Sequence, residues 1–424
     1  MNVSRSDEDR CPRCDRPTVS LRDALPWCAA CEWNLDAFDP AVRRPEFGWS
    51  WVDRRTYRLA RGLTGRQYAT LVDRELDAAG FGPAGWVTAV ASLLLTVGVL
   101  ALGGTGVWLL FAYPFPNLAI LLGVIMIGLA VALRPRFGRV DPDLEVLDRD
   151  RAPELHALVA EVAEAIGAPV PHVIGVDDTF NAYATSVGLR RRRVLALGLP
   201  LWGSLDGPSR VALLGHELGH FVNGDVRRIL VVQPALTMLG NAADLMRPSA
   251  GTSGGGLVEM IGEAVGRSVS WTVSRVLFGA HLVLVATALR DSQRAEYLAD
   301  EMAARSGGTD AATRVLDVTL HGESVLRTVR RVARDGGGPA RWRAEVDLSL
   351  ASAADRLTLL RQLSLREETS LFASHPPAGL RHRMLTARTR QAPRVVVTEA
   401  RVELIDGELR RHYDRTVRDI ALGG

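Results

Sequence analysis

The residues with the strongest chemical content lie mid-chain in a sequence of 424 residues, as His216-Glu217-Leu218-Gly219-His220. Residues i and i+4 share one face of an α-helix, so both imidazoles can reach a single Zn²⁺. The glutamate after the first histidine points beside the metal, where it can take a proton from a bound water. With nine histidines and 48 acidic residues in the chain, chance gives on the order of 0.01 such motifs. Zinc on two histidines needs a third protein ligand, and a catalytic site keeps a further position for water. Glu296 and Asp300, in Arg294-Ala-Glu-Tyr-Leu-Ala-Asp300, are again i and i+4 on one helix face. That pair allows one carboxylate on zinc and a second holding a ligand histidine, His216 by preference, through its other ring nitrogen. Such an ExxxD is weak alone, since any helix surface can show it, and informative behind an HExxH.

A second metal motif opens the chain. Cys11-Pro-Arg-Cys14 and Cys28-Ala-Ala-Cys31 are thirteen residues apart and use all four cysteines. Two thiolates on each of two tight knuckles make a closed tetrahedral zinc site, which is structural because no position is left open. Four clustered cysteines exclude a disulfide-stapled secreted scaffold, and their reduced thiols imply a cytoplasmic location. The 51 basic residues, all arginine, against 48 acidic ones leave a charge of +3. Nothing in that balance demands a nucleic acid, and none is expected as a partner.

Several elements must position these groups. Ser209–Val222 reads as the amphipathic helix carrying HExxH, and Ala152–Ile166 as another. Three strand-like runs, His172–Val176, Ala182–Val187 and Val194–Leu197, surround Arg190–Arg193, a solvated hairpin tip or a contact for anionic headgroups. No charged side chain occurs from Ala78 to Leu133, room for two spans of about 20 residues each. These run from about Trp86 to Phe111 and from about Asn117 to Leu133, with Tyr113-Pro-Phe-Pro116 as the turn. Arg54, Arg55, Arg58, Arg61 and Arg66 precede the pair; Arg134, Arg136 and Arg139 follow it. Arginines on both outer flanks place both ends of the hairpin in the cytoplasm. Ile229–Leu239 is short and broken by Pro234, and Val269–Leu289 contains Arg275 and His281, so both are poor spans. The organisation expected is a zinc ribbon at 1–40, a helical juxtamembrane linker at 41–84 and a transmembrane helical hairpin at 85–134. A peptidase domain follows at 140–392, with room for further membrane segments within 229–290. A strand-and-helix extension at 393–424, beginning with a β-like run Arg394–Val397, closes the chain.

The chain resembles the membrane gluzincin proteases that include the HtpX-like heat-shock proteases and the type I CAAX prenyl endopeptidases. The resemblance covers roughly residues 85–390. It rests on the span pair, Asn181-Ala-Tyr-Ala-Thr185, His216–Asp225 (HELGHFVNGD), Glu296-Tyr-Leu-Ala-Asp300 and His375-Pro-Pro377 with Arg381. It implies zinc on His216, His220 and Glu296, Glu217 as the base and Asp300 behind a ligand. It further implies that Asn181, Ala182, Tyr183 and Ala184 form an edge strand hydrogen-bonded to an extended substrate, a mode that reads mainly backbone. His375 and Arg381 become candidates to stabilise the oxyanion. An arginine there could equally hold a core carboxylate or helix end. Family members of the HtpX type usually have two more spans between HExxH and the third ligand, and the ribbon is an addition.

The fold expected is therefore a mainly α membrane protein with a small β-sheet. It comprises a gluzincin-type zinc metalloprotease domain, a transmembrane hairpin and an N-terminal zinc ribbon. The activity expected is zinc endopeptidase chemistry on membrane or misfolded polypeptides, with one catalytic and one structural Zn²⁺. The protein would be a multi-pass component of the cytoplasmic (inner) membrane, with its catalytic domain and ribbon facing the cytoplasm. Two other readings stand beside it: a dedicated processing peptidase for one substrate, and a bilayer-tethered protein whose ribbon binds a protein partner.

Overall fold

A computed structural model describes residues 3–21, 24–41, 45–76, 83–134, 138–188, 190–222, 236–243, 245–246 and 257–423. The chain forms two compact units, Met1–Ala79 with Arg139–Asp225 and Ser292–Gly424, and Gly80–Gly138 with Val226–Asp291. It is mainly helical, with a small mixed sheet.

In the first unit, β1 (Val3–Arg10) and β2 (Pro17–Leu21) pair antiparallel. Val19 and Trp27 exchange backbone bonds of 2.8 and 2.9 Å, folding the second cysteine knuckle back on this ribbon. The mixed sheet has the order β3-β4-β6-β5, from β3 (Glu145–Val146), β4 (Val173–Asp177), β5 (Ala182–Val187) and β6 (Arg192–Gly198). β4 and β6 run parallel, the other neighbours antiparallel. β6 starts earlier than its apolar run suggests, because Arg192 and Arg193 pair with Val187 and Ser186. Behind the sheet elements, helix Pro153–Ile166 buries Leu155, Leu158, Val159, Val162, Ala163 and Ile166, one stripe at helical spacing. Gly167, at φ 70°, ends it in the left-handed conformation.

In this unit the HExxH and ExxxD motifs lie on two helical stretches. The HExxH helix spans Gly207–Val222, and Asp206 Oδ1 caps it by accepting from Ser209 N at 2.9 Å. Glu296 and Asp300 lie on the helix Leu257–Gly307. Glycines let the two backbones meet. A Cβ on Gly215 would sit 2.0 Å from Ser306 Oγ and 2.9 Å from Met302 O, and one on Gly219 would sit 3.0 Å from Ala299 Cα. Gly307 answers from the other side, where a Cβ would lie 2.7 Å from Ala212 N.

Residues 394–397 form no strand. Arg394 N and Val395 N instead both donate to Ser306 O, so the run is tied to a helix end and has no strand partner. Helices Glu399–Glu408 and Arg410–Gly423 follow.

The second unit contains helices Pro83–Ala112 and Leu118–Ala132. They touch where small residues face each other: a Cβ on Gly123 would meet Gly106 O at 2.7 Å. Leu93, Leu94, Leu100, Trp108 and Phe111 are exposed on the first of these helices, as expected of a surface that meets lipid. Among the described residues, the helices long and apolar enough to cross a membrane are Gly85–Ala112 and Val265–Gly307; Leu118–Ala132 is shorter. The Val265–Gly307 helix meets that test although Arg275 and His281 marked Val269–Leu289 as a poor span. Arg275 lies over the Trp271 ring, 5.4 Å from its centroid, and Ser274 Oγ donates to Ala243 O at 2.8 Å. Residues 229–233 and Pro234 of the other segment lie outside the described residues, as do Asn223–Asp225.

The glycine contact makes a simple prediction. Gly215→Ala forces the HExxH and ExxxD helices apart and should cost about 1–3 kcal/mol by overpacking. Gly407→Ala, where a Cβ meets nothing within 4 Å, should be neutral or slightly stabilising. Denaturant midpoints of the two variants in detergent check the pair, and equal midpoints would remove the close approach as a constraint.

Candidate metal and active site

The cysteine cluster is built from two equivalent turns. Asp15 N donates to Cys11 O and Glu32 N to Cys28 O, each at 2.9 Å, and Asp15 and Glu32 both take φ 57°. The turns face each other: Cys11 Sγ lies 3.6 Å from Cys31 Sγ, and Cys14 Sγ 3.5 Å from Cys28 Sγ. All four sulfurs fall within 4.8 Å of one another, the donor set and spacing of a four-thiolate zinc ribbon.

In the same unit, His216, His220 and Glu296 bring one ligand atom each within 4.8 Å of the others. His216 Nε2 is 3.6 Å from Glu296 Oε2, and His220 Nε2 is 3.7 Å from Glu296 Oε1. The two rings stand nearly perpendicular, 5.0 Å apart. Glu296 Oε2 is buried without a hydrogen bond. Two imidazole nitrogens and a buried carboxylate oxygen short of donors fit a zinc ion.

The surrounding groups hold these three. His216 Nδ1 lies 3.1 Å from Asp300 Oδ1, which fixes Nδ1 as the protonated nitrogen and frees the lone pair on Nε2. Arg381, half-buried, stands against the carboxylates. Its Nε donates to Asp300 Oδ2 at 2.8 Å and its Nη2 to Asp300 Oδ1 at 2.6 Å, while Nη1 stands 3.2 Å from Glu296 Oε2. All three guanidinium nitrogens thus face carboxylates. His375 is more exposed, with its Nδ1 2.8 Å from Glu296 Oε1. Glu217 is 6% exposed on the HExxH helix. Burial alone would raise the Glu296 carboxyl, but Arg381, then His375, His220 and His216, outweigh it and hold it well below the usual carboxylate range. Asp300 behaves likewise: burial pushes it up, and Arg381 with His216 brings it down. Burial would depress the Arg381 guanidinium, and Asp300 and Glu296 reverse that.

Asn181 precedes β5, and its carbonyl accepts from Gly198 N at 2.8 Å. Ala182, Tyr183 and Ala184 lie in β5, which stands at the sheet edge with β6 as its neighbour. Gly198 is required there, because a Cβ would lie 1.9 Å from Thr179 O. Gly215, Gly219 and Gly198 were not singled out from the sequence. Only the four-residue spacing of the first two on one helix face could have flagged them.

The profile of Peptidase family M48 matches residues 149–389, more than half of the chain. Among curated proteins, the chain is 28% identical over 245 residues to a "Protease HtpX homolog" from Thermococcus sibiricus, covering 56% of this chain and 74% of that protein. It is 27% identical over 231 residues to "Protease HtpX" from Xylella fastidiosa, covering 51% and 76%. No solved structure matches. The chain belongs to Peptidase family M48 and is a metallopeptidase with helices able to cross a membrane.

The buried charges predict how Arg381 is used. Arg381→Met leaves two carboxylates buried without their cation and should destabilise the protein by about 3–5 kcal/mol. In the wild type, both folded carboxyls lie below their ordinary values of about 4, so their contribution is complete above that pH and is lost as pH falls through the folded values. In Arg381→Met the largest influence opposing burial is gone and both carboxyls rise, so acid unfolding should begin at higher pH. Denaturant midpoints across pH 3–8 check both, and an unchanged midpoint at neutral pH would leave Arg381 no structural role.

Proposed function

We propose that this M48 metallopeptidase is a membrane-anchored zinc endopeptidase whose base is Glu217 and whose metal ligands are His216, His220 and Glu296. The observation that carries the reading is the convergence of those three ligand atoms within 4.8 Å, two of them on the helix that also holds buried Glu217. When bound there, zinc would polarise the scissile carbonyl and acidify the attacking water. The chain's own residues do the rest. Glu217 takes the proton from the attacking water and delivers it to the leaving amine. Asp300 keeps His216 in the tautomer that leaves the Nε2 lone pair free for a metal. Arg381 neutralises Asp300 and Glu296 and keeps both ionised. His375, the solvent-facing neighbour of Glu296, is the donor for the developing oxyanion.

The substrate is an extended polypeptide added alongside β5, with Asn181, Ala182, Tyr183 and Ala184 supplying backbone partners. Reading by backbone suits membrane or misfolded chains of many sequences. Arginines flanking the apolar hairpin and the thiolate chemistry of the ribbon support a cytoplasmic catalytic unit on a multi-pass inner-membrane protein. One zinc is catalytic and one structural.

Glu217→Gln in detergent-purified protein tests the reading. Hydrolysis of an unfolded polypeptide should fall by at least about 10³-fold, with two zincs per chain retained on elemental analysis. His216→Ala/His220→Ala should drop the zinc content from two to one. Wild-type cleavage by Glu217→Gln removes the base, and an unchanged single zinc in both proteins removes the site.

A further inference from the structure

The ribbon does not hang from the protein as a separate module. Its second knuckle is bonded to the helix Ala354–Glu367, more than 300 residues away in sequence. The Trp27 indole, fully buried, donates to Gln362 Oε1 at 3.0 Å. Gln362 Nε2 donates in turn to the carbonyl of Ala29, inside the Cys28–Cys31 turn, at 2.8 Å. Arg366, also buried, donates to Leu25 O at 2.8 Å, faces Asp39 at 3.7 Å and stacks over Trp27 at 5.2 Å. Val19, Trp27 and Leu35 share one apolar cluster with Leu359, Leu363 and Leu365.

The opposite side of that helix holds the helix Ala378–Ala387, which carries Arg381. Gly379 N donates to Ser364 Oγ at 2.8 Å, and a Cβ on Gly379 would lie 2.0 Å from Arg361 O, so the two backbones touch. Glu368 Oε2 accepts from Ala378 N at 2.7 Å, closing the segment that contains His375. Leu380, one residue before Arg381, packs on the ribbon cluster and also on the cluster with Tyr297, Leu298 and Met384. Glu32, next to Cys31, forms an ion pair with Arg383.

We propose that the four-cysteine ribbon is a positioning element of the peptidase site. It clamps the helix Ala354–Glu367 and thereby sets where Arg381 and His375 stand against Asp300 and Glu296. This rests on the proposed metallopeptidase reading for its consequence in rate, but not for its consequence in structure. A helix of ten residues is marginal on its own, so the place of Arg381 is set by what surrounds it. One of those surroundings is a metal-built module whose folding depends on its ion. Loss of the ribbon metal therefore reaches the catalytic carboxylates through three packed layers: knuckle, Gln362–Arg366 helix, Arg381 helix. Gln362 is a positioning residue that touches neither metal nor substrate.

The test uses the full chain in detergent, with amide hydrogen exchange, zinc content and steady-state kinetics measured together. Cys14→Ser should remove one zinc and accelerate exchange about tenfold or more both in the ribbon and in residues 378–387. Exchange in helix Pro153–Ile166 should be unchanged. Gln362→Ala should keep both zincs, show the same acceleration at 378–387, and lower kcat about tenfold at nearly constant KM. Acceleration confined to the ribbon would make it an independent module and overturn the proposal. Uniform acceleration, including Pro153–Ile166, would make the ribbon a general stabiliser and overturn it equally. Exchange needs no substrate, so the zinc content and hydrolysis of the wild type judge the peptidase reading separately.

Discussion

Two ionised carboxylates sit in the interior of the first unit, and much of its construction answers their cost. A buried carboxylate without a partner reverts to its neutral form or unfolds the protein. Neutral Glu296 would be a poor metal ligand, and neutral Asp300 would no longer favour one tautomer of His216. The single guanidinium of Arg381 spans both groups. Its planar fork is the reason lysine would not serve: two nitrogens fit the two oxygens of Asp300 while the third turns to Glu296. The proposed metal chemistry thus depends on a residue outside the proposed ligand set.

That arrangement tolerates little slack, and the glycines remove it. With side chains at Gly215 and Gly219, the HExxH helix would stand off from the ExxxD helix by the thickness of a methyl group. Glu296 would then lie too far from His216 Nε2 and His220 Nε2 to share an ion with them. Further out, Gly379 brings the Arg381 helix equally close to its neighbour. Close backbone approach at three successive contacts is how a set of short helices acquires the rigidity that a catalytic site needs.

The chemistry of this site was legible because it is local in sequence. HExxH declares itself by a four-residue spacing, ExxxD only in its company, and CxxC by a tight turn. Strand runs near 173, 182 and 194 and the helix ending at Ile166 were readable from periodicity. What escaped was long-range. Arg381 is one of 51 arginines; the sequence left it between the oxyanion and a core carboxylate, and only packing shows that it meets Glu296 and Asp300 together. The apolar run Arg394–Val397 looked like a strand, yet strand pairing needs a free edge, and Ser306 O offered a helix end instead. Arg275 and His281 argued against a span in Val269–Leu289, while the helix that contains them is long and apolar enough to cross a membrane.

The ribbon shows the same limit most sharply. Its metal site could be read to the residue, while its docking could not, because Gln362 and Arg366 are ordinary polar residues on an ordinary helix pattern. The first unit is assembled from three stretches of chain, and the segments of the second unit separate them in sequence. A module at the N-terminus can therefore be a structural neighbour of residues near position 380. The helix that places Arg381 is short, and it lies between two apolar clusters that meet at Leu380. One of them carries the ExxxD residues Tyr297 and Leu298, the other the ribbon. A side chain held on both flanks has one position, and held on one flank it has several. On that argument the ribbon belongs to the peptidase.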